Sequence, residues 1–568
     1  MARIARTGRE VVGPSRPKLP PLSASPVAFA ALVAVLTAIA LFVAYPLARL
    51  MQRSLVDDQG APGIALGVLA GSFDLIANSA FVGALVAVAS TALALAVALA
   101  VAYGSKPFSR ALLGVSMLSL ISPPFVASLA YLELFGKSGL VTYGLLGLRI
   151  DPYGWVGVVL MQTLFFTAIN VLLLVSVLRR LDRRMFEAAR DLGSTSSTVL
   201  RRIVLPLLRP SILVCMLLTF VRSISDYGTP VVIGGSFETV ATEIYMQIIG
   251  YSDLQAAAAL NILLAAVAIA VFAAYGRLSK SSDGLVSGSM DLSAGVADRE
   301  RPASPLRLRG IVGCAAIVVA ALFLVSMVAL YATIVRAAFT VGIGWNASFT
   351  FSHIAHLADY DLAPLGRSFA FALVAALAGT VIGALVAYFA DRRGIAFGKG
   401  LKFLVTMPYM LPGTCLGLGY ILAFNAPPLK LTSTAAVIVL VLTFKQLAIS
   451  TNAFSTTMAQ ISPELDMAAR DLGASEARTF VQVLLPNLRT AAAVGFVDAF
   501  SSAMCAYGAV IFLVSPSHKV AIFELFDALA GGKYGEAAAI SLAIIVLTVF
   551  VNVAFAALML SRRRTNRA

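Results

Sequence analysis

The chain contains Ala188-Ala189-Arg190-Asp191-Leu192-Gly193 and later, in the same order, Ala468-Ala469-Arg470-Asp471-Leu472-Gly473. The two stretches start 280 residues apart, and each is followed at the same distance by a Leu-Pro pair, Leu205-Pro206 and Leu485-Pro486. From there the register holds without a gap. Thr163 falls on Thr443, Arg209 on Arg489, Tyr227-Gly228 on Tyr507-Gly508, and Ala257-Ala258-Ala259 on Ala537-Ala538-Ala539. Self-similarity at a fixed spacing marks one structural unit written twice. In both copies the repeated polar island lies between long hydrophobic stretches.

Those stretches decide the class. The 568-residue chain is 59% hydrophobic and only 12% charged, about half the charge of an ordinary soluble domain. Apolar runs of bilayer-spanning length recur along it. In the first half they lie near Val27–Arg49, Asn78–Tyr103, Ala111–Leu134, Trp155–Leu178, Ser211–Ile233 and Ala256–Tyr275. In the second half they lie near Gly310–Val335, Ser368–Ala390, Leu401–Phe424, Ala435–Thr456, Thr490–Val514 and Ala537–Leu560. Six crossings per copy is an even number, so both copies enter the membrane in the same orientation. The sequence thus predicts an all-α integral membrane protein of twelve transmembrane helices, arranged as two parallel six-helix repeats.

Lys and Arg set the expected orientation. They collect at Arg3, Arg6, Arg9, Arg16 and Lys18, at Lys106 and Arg110, at Arg179 to Arg184, and at Arg201 and Arg202. They recur at Arg392, Arg393, Lys399, Lys402 and Arg562-Arg563-Arg564. The opposite loops carry Asp57, Asp58, Asp74, Glu238, Glu243, Asp253, Asp359, Asp361, Glu524 and Asp527. Both termini and both islands are therefore expected in the cytoplasm. The net charge of +15 reads as this topology signal rather than a nucleic-acid footprint, because it is spread over short loops. The expected organisation is a cytoplasmic tail (1–26), a first repeat (27–278), a Ser/Gly/Asp-rich linker (279–309), a second repeat (310–561) and a basic tail (562–568). The first span is too long for a signal-peptide core and has no small-residue cleavage site, so it is expected to stay as an anchor. Cys215, Cys314, Cys415 and Cys505 fall singly in four spans, and are expected to be small buried packing residues.

Each island reads as two short helices. Arg183–Leu192 is rich in helix formers, and Gly193 ends the run because glycine adopts the left-handed cap cheaply. Ser194, Thr195 and Ser196 offer cap oxygens for a second helix, which Pro206 is expected to stop before re-entry near Pro210. The second copy repeats the plan with Glu464–Leu472, Gly473, Ser475 and Pro486. A rigid, partly polar helix–turn–helix suits docking to another protein.

The run Glu187-Ala188-Ala189-Arg190-Asp191-Leu192-Gly193, closing at Ile203-Val204-Leu205-Pro206, resembles the coupling signature of ABC importer permeases. The resemblance covers essentially the whole chain. It implies that Glu187, Ala188, Ala189, Asp191, Gly193 and Pro206, with Ala468, Ala469, Asp471, Gly473 and Pro486, form coupling loops. Each loop would seat in a cleft of a cytoplasmic ATPase, so two ATPase copies are expected. The second copy departs from the pattern: Met467 stands where the family has Glu, with Glu464 one turn earlier. The resemblance also implies a bacterial inner-membrane location and a periplasmic or extracellular binding protein that delivers the solute.

No phosphate-binding loop is found in the sequence. Gly136-Lys137-Ser138 lacks its upstream glycine, Tyr131 standing there, and Gly394–Lys399 lacks the hydroxyl residue. The chain is therefore expected to be no enzyme and to bind no cofactor, with ATP and Mg used by the partner. Within the spans, Ser225-Asp226-Tyr227-Gly228-Thr229-Pro230 with Gly234-Gly235 and Thr239–Tyr245 resembles the ferric-iron and 2-aminoethylphosphonate branch of fused permeases. Asp226 is a costly in-span carboxylate. It is expected either on the translocation path or at a helix end beside Arg222, and its repeat counterpart is Ala506. Tyr227 and Tyr507 are further gate candidates. So are Pro124, in Ser122-Pro123-Pro124, and Pro412, in Pro408 to Gly413, because paired helix breaks mark pathways. Asp498, Lys445, Asn170 and Gln446 read as structural.

His353, His356, Asp359 and Asp361 read as a solvated outer loop rather than a metal site. Ferric iron is the first cargo expectation, then aminoethylphosphonate, then a polyamine or thiamine. Two rival classes fit the sequence less well. An ion-coupled secondary transporter gives no reason for matched polar islands, and a membrane-embedded enzyme needs convergent catalytic residues within the spans.

Overall fold

A computed structural model describes residues 25–56, 64–149, 151–280, 311–342 and 347–561. The expected tails, the linker, Asp57 and Asp58 lie outside the described residues, apart from the few residues where those segments meet the spans. Among the described residues eight helices are long and apolar enough to cross a bilayer by themselves. They are span 1 (Pro26–Leu55), span 2 (Phe73–Tyr103), span 4 (Trp155–Leu178), span 5 (Ser197–Ser225) and span 6 (Leu254–Ala274). Span 7 (Gly313–Ala338), span 8 (Ser352–Arg392) and span 12 (Tyr534–Leu558) complete this set. Four bent pairs bring the total to as many as twelve. Among the described residues the only strands are β1 (Thr340–Val341) and β2 (Ser348–Phe349), an antiparallel pair beside span 7.

Four spans are bent pairs, two of them at the proline breaks expected in spans 3 and 9. Span 3 is Lys106–Ile121 followed by Phe125–Leu145, turned by 111°, and span 9 is Gly398–Met410 followed by Gly413–Phe424, turned by 108°. In span 3 the break falls at Ser122–Pro124, where Pro cannot continue the ladder and drives the preceding residue to extended backbone. In span 9 it falls at Leu411-Pro412, whereas Pro408 is carried inside the first limb. Span 10 bends by 42° between Ala435–Lys445 and Leu447–Met458, and span 11 by 75° between Glu476–Asn487 and Arg489–Met504. Spans 5 and 11 also stop short of their expected ends, at Ser225 and Met504, each followed by a separate short helix (Gly228–Ile233 and Tyr507–Val510).

Pro206 does not stop a helix, contrary to expectation. Leu200–Val204 widens into a π turn and the helix runs on through Pro206 and Pro210. Proline has no N–H to donate within the run, and the wide turn ahead of it gives its ring room. Pro486 lies likewise just after a π turn, Phe480–Leu484, but there the chain bends at Leu488.

Tertiary packing crosses the repeat boundary. Leu32, Val35 and Ile39 of span 1 bury against Ala384, Val386, Leu401, Phe444 and Leu484 of the second half. Tyr420 Oη of span 9 donates to the Phe42 carbonyl at 2.7 Å, and Ser122 Oγ of span 3 meets Tyr331 Oη of span 7 at 2.8 Å. Thr414 Oγ1 donates to Asn261 Oδ1 at 2.7 Å, tying span 9 to span 6. Within a bilayer such interhelical hydrogen bonds replace the hydrophobic force as specific glue. Asn170 does this inside the first half, donating to Ser90 Oγ and Thr219 Oγ1 at 3.0 and 2.7 Å, so it ties spans 2, 4 and 5 together. Large apolar side chains such as Phe29, Leu322, Phe550 and Val553 are exposed along the outer faces of the spans, the surface that lipid covers. Cys215 and Cys415 are buried and Cys505 is half-buried. Cys314 is exposed on span 7, so the expectation of four buried cysteines does not hold for it.

Candidate functional site: a cavity between the halves and two matched islands

The islands are built alike. Arg183–Asp191 and Glu464–Asp471 are helices, and each ends at a glycine in the left-handed region, φ +76° at Gly193 and +83° at Gly473. Ser194 N donates to the Ala189 carbonyl and Ala474 N to the Ala469 carbonyl, at 2.9 and 3.0 Å. This six-to-one bond over a left-handed residue is the Schellman closure. Thr195 Oγ1 and Ser475 Oγ, equivalent positions, then accept from the amides of Thr198 and Arg478 to start the second helix. Glu187, Ala188, Asp191 and Gly193 are exposed, as are Ala468, Asp471, Gly473 and Pro486. Ala189 is buried, while Ala469 and Pro206 are half-buried.

Leucines at the tips were not singled out from the sequence. Leu192 is 86% exposed and Leu472 is 89% exposed, although both lie inside the repeated hexapeptide. The two exposed leucines stand at equivalent turns of the two copies. Their recurrence in the repeat was the available signal.

The islands differ in how they are held. On the second, Arg392 reaches from the end of span 8 to Asp466 Oδ2 at 2.8 Å and to the carbonyls of Ile461 and Ser462 at 2.7 and 3.0 Å. Arg393 pairs with Glu476 at 2.6 Å, and Tyr388 Oη donates to the same carboxylate at 2.7 Å. The first island has Phe186 and Ser196 where the second has Asp466 and Glu476, and Phe186 is buried. Thus an apolar ring anchors one island and buried ion pairs anchor the other. Beside Met467, the grip of Arg392 on Asp466 fixes the helix that departs from the repeated pattern.

A cavity of about 300 Å³ lies between the halves. Leu120, Pro124, Ser225 and Asp226 line it from the first, and Gly413, Lys445, Gln446 and Ser502 from the second. Tyr227 and Tyr507 also line it, and their rings stack at 5.1 Å with a 28° interplanar angle. Equivalent residues of the two copies meet face to face, as they must where an approximate two-fold axis passes. Around them, Tyr245 stacks on Tyr227 at 5.8 Å, Phe125 meets Tyr507 edge-on at 4.3 Å, and Phe526 lies 5.0 Å from Tyr507. Span 5 runs from the first island towards Tyr227 and span 11 from the second towards Tyr507. The aromatic cluster therefore stands on the side of the cavity away from the islands.

Four of the five gate candidates, Pro124, Asp226, Tyr227 and Tyr507, line this one cavity. Pro412 is not among its lining residues, but its neighbour Gly413 is. Asp226 is not paired with Arg222. Its Oδ2 accepts from Gln162 Nε2 at 2.9 Å, and its Oδ1 accepts from the amides of Gly228 and Thr229 at 3.0 and 3.4 Å. The carboxylate therefore caps the short helix after span 5 while Gln162, itself bonded by Ser223, fixes its other oxygen. Lys445 and Gln446, read from the sequence as structural, prove to line the cavity; the bend of span 10 that turns them inward had no proline or glycine to announce it.

The outer histidines sit on a frame rather than a loop. His353 and His356 lie on the short helix Ser352–His356, which leads into span 8. His353 Nε2 is 3.2 Å from the Thr340 carbonyl, while His356 lies 3.6 Å from Asp361 and 3.9 Å from Glu536. Among the described residues no group of three or more His, Cys, Asp or Glu side chains is arranged to hold a metal ion.

Two lobes that share a cavity on their common axis can pass a solute by moving against one another, which is the layout of a membrane permease. The chain belongs to the family of binding-protein-dependent transport system inner membrane components, whose model matches residues 90–283 and again 379–564. It is thus a multi-pass inner-membrane transport permease with its unit duplicated. It is similar to the ferric transport system permease protein FbpB of Actinobacillus pleuropneumoniae, 30% identical over 539 residues, covering 92% of this chain and 77% of that one. It is likewise similar to the putative ferric transport system permease protein FbpB 1 of Haemophilus influenzae, 30% identical over 511 residues, covering 86% and 78%. A shorter match is to the molybdenum transport system permease protein ModB of Mycobacterium bovis, 33% identical over 172 residues, 29% of this chain and 64% of that one.

Proposed function

We propose that this chain is the translocation subunit of an ATP-driven importer whose cargo is ferric iron, delivered by a separate binding protein on the outer side. The observation that carries this reading is the near-full-length similarity to two ferric transport permease proteins, in both halves at once. Matches to molybdenum and spermidine/putrescine permease proteins cover less than a third of the chain, which favours iron over an organic cation such as a polyamine. Both termini and both islands face the cytoplasm in this reading, as the Lys and Arg distribution requires. Two ATPase subunits dock there, one on Arg183–Pro206 and one on Pro463–Pro486. ATP and Mg are handled by those subunits, and the permease itself performs no covalent chemistry.

The geometry supports a coupled motion. The Schellman turns make each island a rigid lever on span 5 or span 11, and those spans end beside Tyr227 and Tyr507. Drawing the islands together from the cytoplasmic side would rotate these helices and part the stacked rings. The test is uptake of radiolabelled ferric iron by cells that express the chain with its ATPase and binding protein, with and without an ATP supply. Accumulation that requires ATP and is competed by ferric salt but not by aminoethylphosphonate is the expected result. Stimulation of the ATPase by an organic ligand, with no iron uptake, would reassign the cargo.

A further inference from the structure

We infer that Lys445 makes the central cavity a site for an oxyanion, so that iron crosses this protein as an oxyanion complex and not as a bare trication. The inference rests on the permease reading and names the chemical form of its cargo. Lys445 ends the first limb of span 10, and its Nζ lies so close to Gly413 that a Cβ built there would be 2.9 Å from it. Among the described residues no hydrogen bond or ion pair reaches that ammonium. Its residue sits in the last turn of the limb, the end of a helix that favours a cation.

The cavity's one carboxylate does not serve it. Asp226 has both oxygens engaged, by Gln162 Nε2 and by two backbone amides, and lies beyond ion-pair distance of Lys445. The unfilled valences are mainly donors. The Lys445 ammonium offers three N–H groups, and the hydroxyls of Ser225, Tyr227 and Tyr507, which also line the cavity, are buried without a partner and can each donate; Gln446 Oε1 is an acceptor without a partner. An ammonium repels a bare metal ion and attracts oxygen-bearing anions, which take several donors at once. A cavity of about 300 Å³ has the volume of about ten water molecules, room for a small ion complex. An intramembrane charge facing a cavity is a functional position by default, and the other half has Phe165 at the equivalent place, so no pseudo-symmetric structural role is repeated.

The test uses the purified full-length chain in lipid nanodiscs and ³²P-labelled inorganic phosphate as probe. Saturable binding is expected in wild type. It should weaken by about tenfold or more in K445M, the factor one charge-assisted contact carries, and stay within about threefold in K445R. Absence of saturable binding, or equal binding by K445M inserted at wild-type level, overturns the site. This arm needs neither ATPase nor iron, so it stands apart from the importer reading. A second arm supplies the reconstituted importer with both ⁵⁵Fe and ³²P. Phosphate entering only with iron supports the complex, and phosphate entering alone makes the oxyanion itself the cargo of the site. Iron entering without phosphate overturns the inference.

Discussion

Replacing Arg393 with alanine should loosen the second island and leave the first intact. Arg393 and Glu476 are 2.6 Å apart, with side chains only 4% and 7% exposed, and Tyr388 supplies the hydrogen bond to the other carboxylate oxygen. Removing the guanidinium leaves a carboxylate with little water and one neutral donor. Breaking one side of such a buried pair costs about 3–5 kcal/mol. At the lower figure the balance between seated and unseated island shifts by about 150-fold. Tyr388→Phe removes only a hydrogen bond to a charged group, about 1.5–3 kcal/mol, and should act in the same direction more weakly. The paired change Arg393→Met with Glu476→Gln removes both charges and should recover most of the loss. Amide hydrogen exchange is the assay. In R393A the amides of Glu464–Thr479 should exchange faster by up to that factor, while those of Arg183–Asp191 keep wild-type rates. Uptake should fall in parallel, because an unseated island transmits less of the ATPase stroke. Wild-type exchange across Glu464–Thr479 in R393A would refute the claim that this pair holds the island.

Three other outcomes follow from the site. Gly193→Pro, which cannot take φ of +76°, or deletion of Ala188-Ala189, should abolish ATP-dependent uptake while membrane insertion, measured by surface labelling, stays normal. Leu192→Asp and Leu472→Asp should each weaken ATPase binding, by about 1.5–3 kcal/mol if the leucine is fully covered in the complex; a pull-down with unchanged affinity would remove the tips from the interface. Asp226→Asn keeps the shape but gives one carboxylate position a donor that faces other donors, a mismatch of about 1–3 kcal/mol. Lower uptake with normal insertion is expected, and unchanged affinity and rate would take Asp226 off the pathway.

Much of the molecule could be read without coordinates, for reasons that are local. Apolar length fixes a bilayer crossing because backbone groups in lipid must bond within their own helix. The twelve crossings so counted correspond, among the described residues, to eight single helices and four bent pairs, each pair taken as one span. The island turns were legible because a left-handed residue is cheap only for glycine, and the sequence places one at Gly193 and another at Gly473. Prolines announced the breaks of spans 3 and 9. They misled at Pro206, where a wide turn gives the ring room and the helix runs on, and at Pro408, which is carried inside the first limb of span 9.

What the chain by itself determined was the duplicated unit, its membrane class and its two polar islands. Only the tertiary structure decided that span 1 packs on the opposite half, that Gln162 rather than Arg222 holds Asp226, and that Tyr227 stacks on Tyr507 at the centre. It also turned Lys445 from an apparent structural residue into a charge that lines the cavity. These are contacts between residues tens to hundreds of positions apart, set by how closely packed helices bend and cross. A sequence pattern records which face of a helix is apolar, not which helix that face will meet.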